Sequence, residues 1–398
     1  MHPRALLSVL CLTLAIALAA CGRDADPAAE VPAVANGAPV WRDGGGWRLA
    51  DTPSVVIGQD EGAREYELAG VPGALRLADG TLVIADHGSD EIRYYSPRGV
   101  HLRSVGRHGE GPGEFRWIAW IGQRADSVAV WDSLLRRLTW FAPDGRLARV
   151  VRIGTGEESI QRVVGLMGDG SLLLRPWGRE NPPAGEHADS ATITRYSGVD
   201  GRRMGTMGPY FEREVFTTRS RSLTLSQPVI FGRANLLAVG THGLFTAGTD
   251  AFDVTLRGMD GHPVRTFGRV HAPVRATDSD AEAVIKATIE EHGYRGMLDA
   301  AQIERAQREQ LSHMGHRDTL PAIQRMLVDG EGDVWLEEFR VDSKAAATWS
   351  VFDPEGRWLG RVVTPAGVKV LHISGGTVIG VTRNELDVER VVVYPLLR

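Results

Sequence analysis

The sequence predicts an all-β chain: a six-bladed β-propeller closed by an N-terminal strand, with a small helical insertion between blades four and five. Three observations carry this prediction. A short apolar strand, a polar loop, an alternating strand, a turn ending in Gly and another alternating strand recur along the chain, and the first two turn glycines, Gly99 and Gly145, stand 46 positions apart. That is the period of a propeller blade and not of a helical solenoid. The turn recurs as Asp200-Gly201, Asp260-Gly261 and Glu355-Gly356, where Gly supplies the positive φ of a tight hairpin. Residues 54–57 are apolar and β-prone but belong to no copy, so they are the piece expected to pair with the last blade and remove both exposed edges.

From the N-terminus, residues 1–20 hold one basic residue, Arg4, and an apolar run from Ala5 to Ala20 broken by Ser8 and Thr13. The run is short for a bilayer span and suits the core of a signal peptide. Residues 22–40 are mainly Ala, Pro, Asp, Glu, Gly and Asn with a few valines, too little apolar surface to fold, so 21–40 read as a flexible tether of about 25 Å. The other cysteine, Cys11, lies within the removed segment, which leaves the mature chain without a thiol for a disulfide, a thiolate nucleophile or a cysteine-type zinc site once Cys21 is modified. Losing Arg4 takes the formal charge from -5 to -6. An acidic exported chain without clustered Lys and Arg is a poor nucleic-acid binder.

Residues 41–398 hold the repeats. Blade one runs 81–85, 86–91, 92–95, 96–99 and 100–105; blade two runs 127–131, 132–137, 138–141, 142–145 and 146–153. The buried strand recurs near 171–174, 235–239, 333–336 and 377–381. After the sixth copy only residues 388–394 remain to form a strand, so the last blade lacks an outer strand of its own.

Two motifs carry a resemblance. Leu18-Ala19-Ala20-Cys21-Gly22 is similar to the bacterial lipoprotein signal box, whose cysteine is lipidated after cleavage; the plainer reading is an ordinary secretory signal followed by a cysteine. Gly109-Glu110-Gly111-Pro112-Gly113-Glu114-Phe115, followed by Val130-Trp131-Asp132 and Arg137-Leu138, resembles the NHL repeat and the six-bladed propeller lipoproteins of environmental bacteria. Blade two keeps the Asp and Arg of the NHL loop but has Leu135 for its Asn; blade one keeps Asp86 and has Ser89 and Glu91. The resemblance implies a chain anchored in the cell envelope by a lipid on Cys21, and Gly22 in place of Asp after the cysteine favours the outer membrane. It supports a fold far more than a function.

Three segments interrupt the blade spacing, and all map to one face of the ring, where the loops between strands two and three and the links between blades emerge. Residues 175–191 join strands two and three of blade three, residues 208–227 lie between blades three and four, and residues 271–321 lie between blades four and five. The last reads as two helices. Ser279 with Glu282 makes a capping box ahead of Ile285, Ile289 and His292, and a second helix starts at Asp299 and ends at Gly315. Long loops on a rigid scaffold are where binding concentrates, so the site is expected on this face at the channel mouth; the rival reading is that the insertions only plug the channel.

The ends of the buried strands place Asp86, His87, Asp132, Arg175, Thr241, His242, Glu337, Glu338, Arg383 and Asn384 around that mouth. Carboxylates in such a ring could hold Ca²⁺, as gluconolactonase-type propellers do, although Arg175 and Arg383 would repel a cation. His87 and His242 could serve as general bases, although neither has a sequence-adjacent partner. His292, His313 and His316 lack the HExxH spacing of a zinc site. Arg213, Arg219 and Arg221 beside Tyr210, Phe211 and Phe216 suit an anionic glycan or a peptide carboxylate, or simply pack down a loop. No cofactor motif is evident. The expected function is an envelope-anchored module that binds a protein or glycan; the alternatives are a Ca²⁺-assisted lactonase, lyase or hydrolase at the channel mouth, and a subunit of an envelope assembly.

Overall fold

The computed structural model describes residues 31–42, 45–154, 161–176, 182–219, 224–289 and 315–398, together with residues 301, 302, 305, 308, 309, 312 and 314. Pro32–Arg398 forms one compact unit. The first ten residues of the expected tether, Cys21 among them, lie outside the described residues.

Three short strands come first: β1 (Ala33–Asn36), β2 (Arg48–Leu49) and β3 (Val55–Ile57). Six antiparallel sheets then follow one another among the described residues. The first holds β4 (Gly73–Arg76), β5 (Leu82–Asp86), β6 (Glu91–Tyr95) and β7 (His101–Val105), and the second β8 (Ile118–Arg124), β9 (Ser127–Asp132), β10 (Arg137–Phe141) and β11 (Leu147–Arg152). The third has five strands, β12 (Gln161–Leu166), β13 (Leu172–Pro176), β14 (Gly185–Tyr196), β15 (Arg203–Arg219) and β16 (Thr224–Pro228). The fourth is β17 (Asn235–Gly240), β18 (Gly243–Gly248), β19 (Val254–Arg257) and β20 (Pro263–Arg269); the fifth is β21 (Ile323–Val328), β22 (Val334–Glu338), β23 (Ala347–Phe352) and β24 (Trp358–Thr364). The sixth has β25 (Lys369–Ser374), β26 (Thr377–Arg383) and β27 (Glu389–Leu397).

The apolar pattern explains why these sheets stack as propeller blades. In β5, Leu82–Asp86, every residue is buried, because alternate side chains face opposite neighbours. Val83 and Ala85 pack with Ile118, Val128 and Val130 of the second sheet, whereas Leu82 and Ile84 pack with Ile379, Val391 and Val393 of the sixth. The same arrangement continues through Trp131 against Leu172 and Leu174, Leu173 against Leu244, Phe245 against Leu336, and Trp335 against Val370 and Val378. Each sheet therefore shares a core with the next, and the last shares one with the first. The turns between strands three and four carry Gly99, Gly145, Gly201, Gly261 and Gly356, with φ of 80°, 79°, 76°, 85° and 86°. A Cβ on Gly201 would stand 2.0 Å from the Arg152 carbonyl oxygen, so both φ and space require glycine there.

The ring closes as the sequence predicts. β3 pairs antiparallel with β27, Val391 opposite Ile57 and Val393 opposite Val55, and supplies the outer strand that the sixth sheet lacks. β2 pairs with the end of the same strand. Within the stretch expected to be a flexible tether, by contrast, four residues form a strand. Residues 33–36 are β1, a parallel partner of β20, and the Asn36 side chain donates to the Gly268 and Gly356 carbonyls while accepting from the Trp358 amide.

The assignment of residues 235–239 to the buried second strand is also corrected. They form β17, the innermost strand of the fourth sheet, and β18 holds the buried position. Two apolar strands joined by the two-residue turn Thr241-His242 look alike in sequence, and only their order in the sheet separates them.

In the helical insertion, α1 spans Asp278–Ile289 and buries Ala281 and Ile285 against Ile230 and Phe231, with Phe339 packed alongside. Its capping box is Thr277 with Asp280, two residues earlier than Ser279 with Glu282: the Thr277 amide and hydroxyl donate to Asp280 Oδ2, and the Asp280 amide donates to Thr277 Oγ1. Residues 301, 302, 305, 308, 309, 312 and 314 are helical, as expected of the second helix, while His292 and His313 lie outside the described residues.

Candidate functional site

The strand two to three loops and the blade-to-blade links emerge at one end of the sheets, and two of the long insertions merge there. Residues 185–191, read as part of a loop, extend β14, and residues 208–219 extend β15; their register runs from Gly185 opposite Thr217 to Tyr196 opposite Arg203. β16 adds a third strand, with Thr217 opposite Ser226. Blade three therefore carries a three-stranded projection. It is tied down by Arg317, which follows the helical insertion and bonds both Glu186 of β14 and Glu214 of β15.

Each candidate at the channel mouth has a defined place. Asp86 is buried and structural: Oδ1 accepts from the Ala69 and Gly88 amides, and Oδ2 accepts from Ser89 Oγ and pairs with the buried Arg93 at 2.9 Å. Asp132 is fully buried and accepts four backbone N–H groups, from Arg116 (2.7 Å), Trp117 (3.2 Å), Leu134 (3.0 Å) and Leu135 (2.8 Å). Arg137 closes the same loop by donating to the Glu110 and Glu114 carbonyls. These two aspartates lock loops and leave no oxygen for a cation.

Glu338 turns to the blade-four side, where Oε1 accepts from Arg269, Ser350 and Arg361. Its neighbour Glu337 turns the other way and bonds Gln324, Arg325 and Arg340. Arg383 is spent on Glu389, whose second oxygen accepts the Val71 amide at 2.7 Å. His242 falls in the β17–β18 turn, at the opposite end of the sheet, and leaves the candidate ring; Thr249, after β18, holds that place and accepts the Ala234 amide. Asn384 caps the turn before β27 and donates to Asp60. Among the described residues no group of three or more His, Cys, Asp or Glu side chains is placed to share a metal ion. The ring of Ca²⁺ donors does not assemble.

Two other clusters do form. At blade three, Arg175 and Arg213 both bond Glu212 Oε1, and Arg162 stands opposite Arg175 in register. Burial, with Arg175 and Arg213 beside it, pulls the Arg162 guanidinium down to about 10. Arg233 lies over the Phe211 ring at 4.7 Å, and Arg219 donates to the Pro182 carbonyl; Arg221 lies outside the described residues. At blades one and two, the His87 ring stacks on Trp117 with centroids 4.1 Å apart. His87 has an acidic neighbour after all: Asp90 Oδ1 is 3.8 Å from its Nδ1, and Asp90 Oδ2 bonds His108 Nδ1 at 2.8 Å. The i,i+3 spacing of His87 and Asp90 is visible in the sequence, whereas Trp117 and His108 join the group only through the blade one to two link.

No family model matches the chain, and no curated protein matches it. Among solved structures it is similar to a member of the DUF4221 family from Bacteroides vulgatus, at 8% identity and a TM-score of 0.53, covering 88% of this chain and 98% of that one. That likeness is one of fold. It is also similar to a chain described as an exported protein of Bacteroides fragilis, at 11% identity and a TM-score of 0.48, covering 92% and 99%. A virginiamycin B lyase from Staphylococcus aureus matches at 10% identity and a TM-score of 0.41, covering 88% and 100%.

Proposed function

We propose that this chain is an exported binding module, anchored to the cell envelope through a lipid on Cys21, probing its surroundings with the face that carries the blade-three projection. The partner is a protein or a glycan bearing acidic groups. The observation that carries this reading is the projection itself: two segments far apart in the repeat become β14, β15 and β16, held by Arg317 against a third insertion and set beside the Arg162, Arg175 and Arg213 cluster. A rigid surface with guanidinium and aromatic groups loses little entropy on binding and suits carboxylate recognition. A cation-assisted hydrolase is the weaker reading, because Asp86, Asp132, Glu338 and Arg383 are engaged within the chain.

The test uses residues 32–398 and isolated envelope material. Parent protein is expected to bind in a salt-sensitive manner, and the Arg213→Glu, Arg219→Glu double variant to bind about tenfold or more weakly. Equal retention of parent and variant would overturn the reading. A rise in melting temperature on adding Ca²⁺ after EDTA would return the hydrolase to first place.

A further inference from the structure

Trp117 stands apart from the other tryptophans. Among the described residues it is the only exposed one, with 48% of its surface open, whereas Trp131, Trp335 and Trp349 are buried between blades. Yet it is not loose. Its amide donates to the buried Asp132 carboxylate, its carbonyl accepts from the Ser133 amide at 3.2 Å, and its indole rests on the His87 ring at a 50° tilt. The His87 backbone is fixed as well, its amide donating to the Gly70 carbonyl. An apolar ring is thus held open to water in one orientation, which removes most of the ordering cost of stacking a ligand on it.

The polar surroundings narrow the class of that ligand. His87 Nδ1 and Asp90 Oδ1 are both buried, face each other at 3.8 Å and lack a hydrogen-bond partner, so the exposed 30% of the His87 side chain lies on its other atoms. In the link that leads to Trp117, Arg116 pairs with Glu110 and Arg107 with Glu114, and His108 is bonded to Asp90. The rim therefore offers donors and acceptors in balance, without the excess of one charge that an ionic ligand would need. A pyranose matches both parts: one face of C–H bonds to lie on the indole, and an edge of hydroxyls that donate and accept.

We propose that Trp117, braced by His87, is the stacking platform of a subsite for an uncharged pyranose ring at the junction of blades one and two. Asp90 faces the buried edge of the His87 ring at 3.8 Å, and the open edge of that ring bonds the sugar's hydroxyls. The subsite is separate from the blade-three projection and stands whether or not the projection holds a partner.

The experiment titrates residues 32–398 with neutral oligosaccharides of glucose and of N-acetylglucosamine, read by calorimetry and by tryptophan fluorescence. At least one series is expected to bind the parent; Trp117→Ala should then weaken it about tenfold or more, Trp117→Phe should recover most of the loss, and His87→Ala should weaken it too. Val264→Ala, an exposed apolar change on β20 of blade four, should bind as the parent does. Because half of Trp117 is open to water and its backbone bonds survive the change, Trp117→Ala should melt close to the parent, which separates lost binding from lost folding. No binding by either series at millimolar concentration, or equal binding by Trp117→Ala, overturns the proposal. A blue shift of Trp117 fluorescence on lipid vesicles with no response to sugar would likewise overturn it, in favour of a membrane contact.

Discussion

At the scale of single residues, the aspartates that end the buried strands show how a residue type can be legible and its role not. Asp86 and Asp132 stand out in the sequence by position, and a ring of carboxylates is what a cation site would use. Their fate is decided by backbone amides, which a sequence does not display: Asp132 takes four of them, and Asp86 takes two together with Ser89 and Arg93. Removing such an acceptor leaves buried N–H groups unpaired, and each costs free energy. Asp132→Ala is therefore expected to lose about 3–5 kcal/mol of stability, and Asp132→Asn less, since one oxygen survives. Denaturant titration at neutral pH measures this. A loss under about 1 kcal/mol would show that the loop finds other acceptors. For the same reason an alanine double variant of Asp86 and Asp132 would report unfolding before it reported metal binding.

At the scale of elements, propeller periodicity reveals regular blades and hides departures from them. The five Gly turns and the closing strand β3 were legible because each depends on local signals, positive φ in one case and an unpartnered apolar run in the other. β1 was not legible, because it adds to the edge of β20 through backbone pairing that makes small demands on side chains. The projection was not, because residues 175–191 and 208–227 look like separate loops until β14 and β15 are seen in register. β1 carries a testable share of stability. Asn36 joins blade four to blade five through Gly268, Gly356 and Trp358, so Asn36→Ala is expected to cost about 1–3 kcal/mol by stranding the Trp358 amide. A chain starting at residue 37 should melt lower than one starting at residue 32. Coincident melting curves would mean that β1 only rests on the edge.

At the scale of the whole molecule, the junction of blades five and six couples stability to pH through two groups of opposite sense. Burial, with Asp329 and Asp353 nearby, pushes the Asp333 carboxyl from 3.8 up to about 7. Between those values the folded chain holds a proton that the unfolded chain has released, so this contribution is present in acid and is lost as pH rises towards 7. Burial pulls the His372 imidazole from 6.5 down to about 4. Between those values the unfolded chain takes up a proton that the folded chain refuses, so stability is lost as pH falls through that window. The two meet on one seam: the Gly330 amide of the turn that holds Asp333 donates to the Ile373 carbonyl, next to His372. In the shared window their slopes oppose, and each is best seen by removing the other. Relative to the parent, Asp333→Asn should gain in melting temperature as pH rises from 4 to 7, and His372→Gln should gain as pH falls from 6.5 to 4. Melting curves of the parent and both variants across that range decide the matter. If the two differences run in the same direction with pH, the seam does not hold one protonated acid against one neutral histidine.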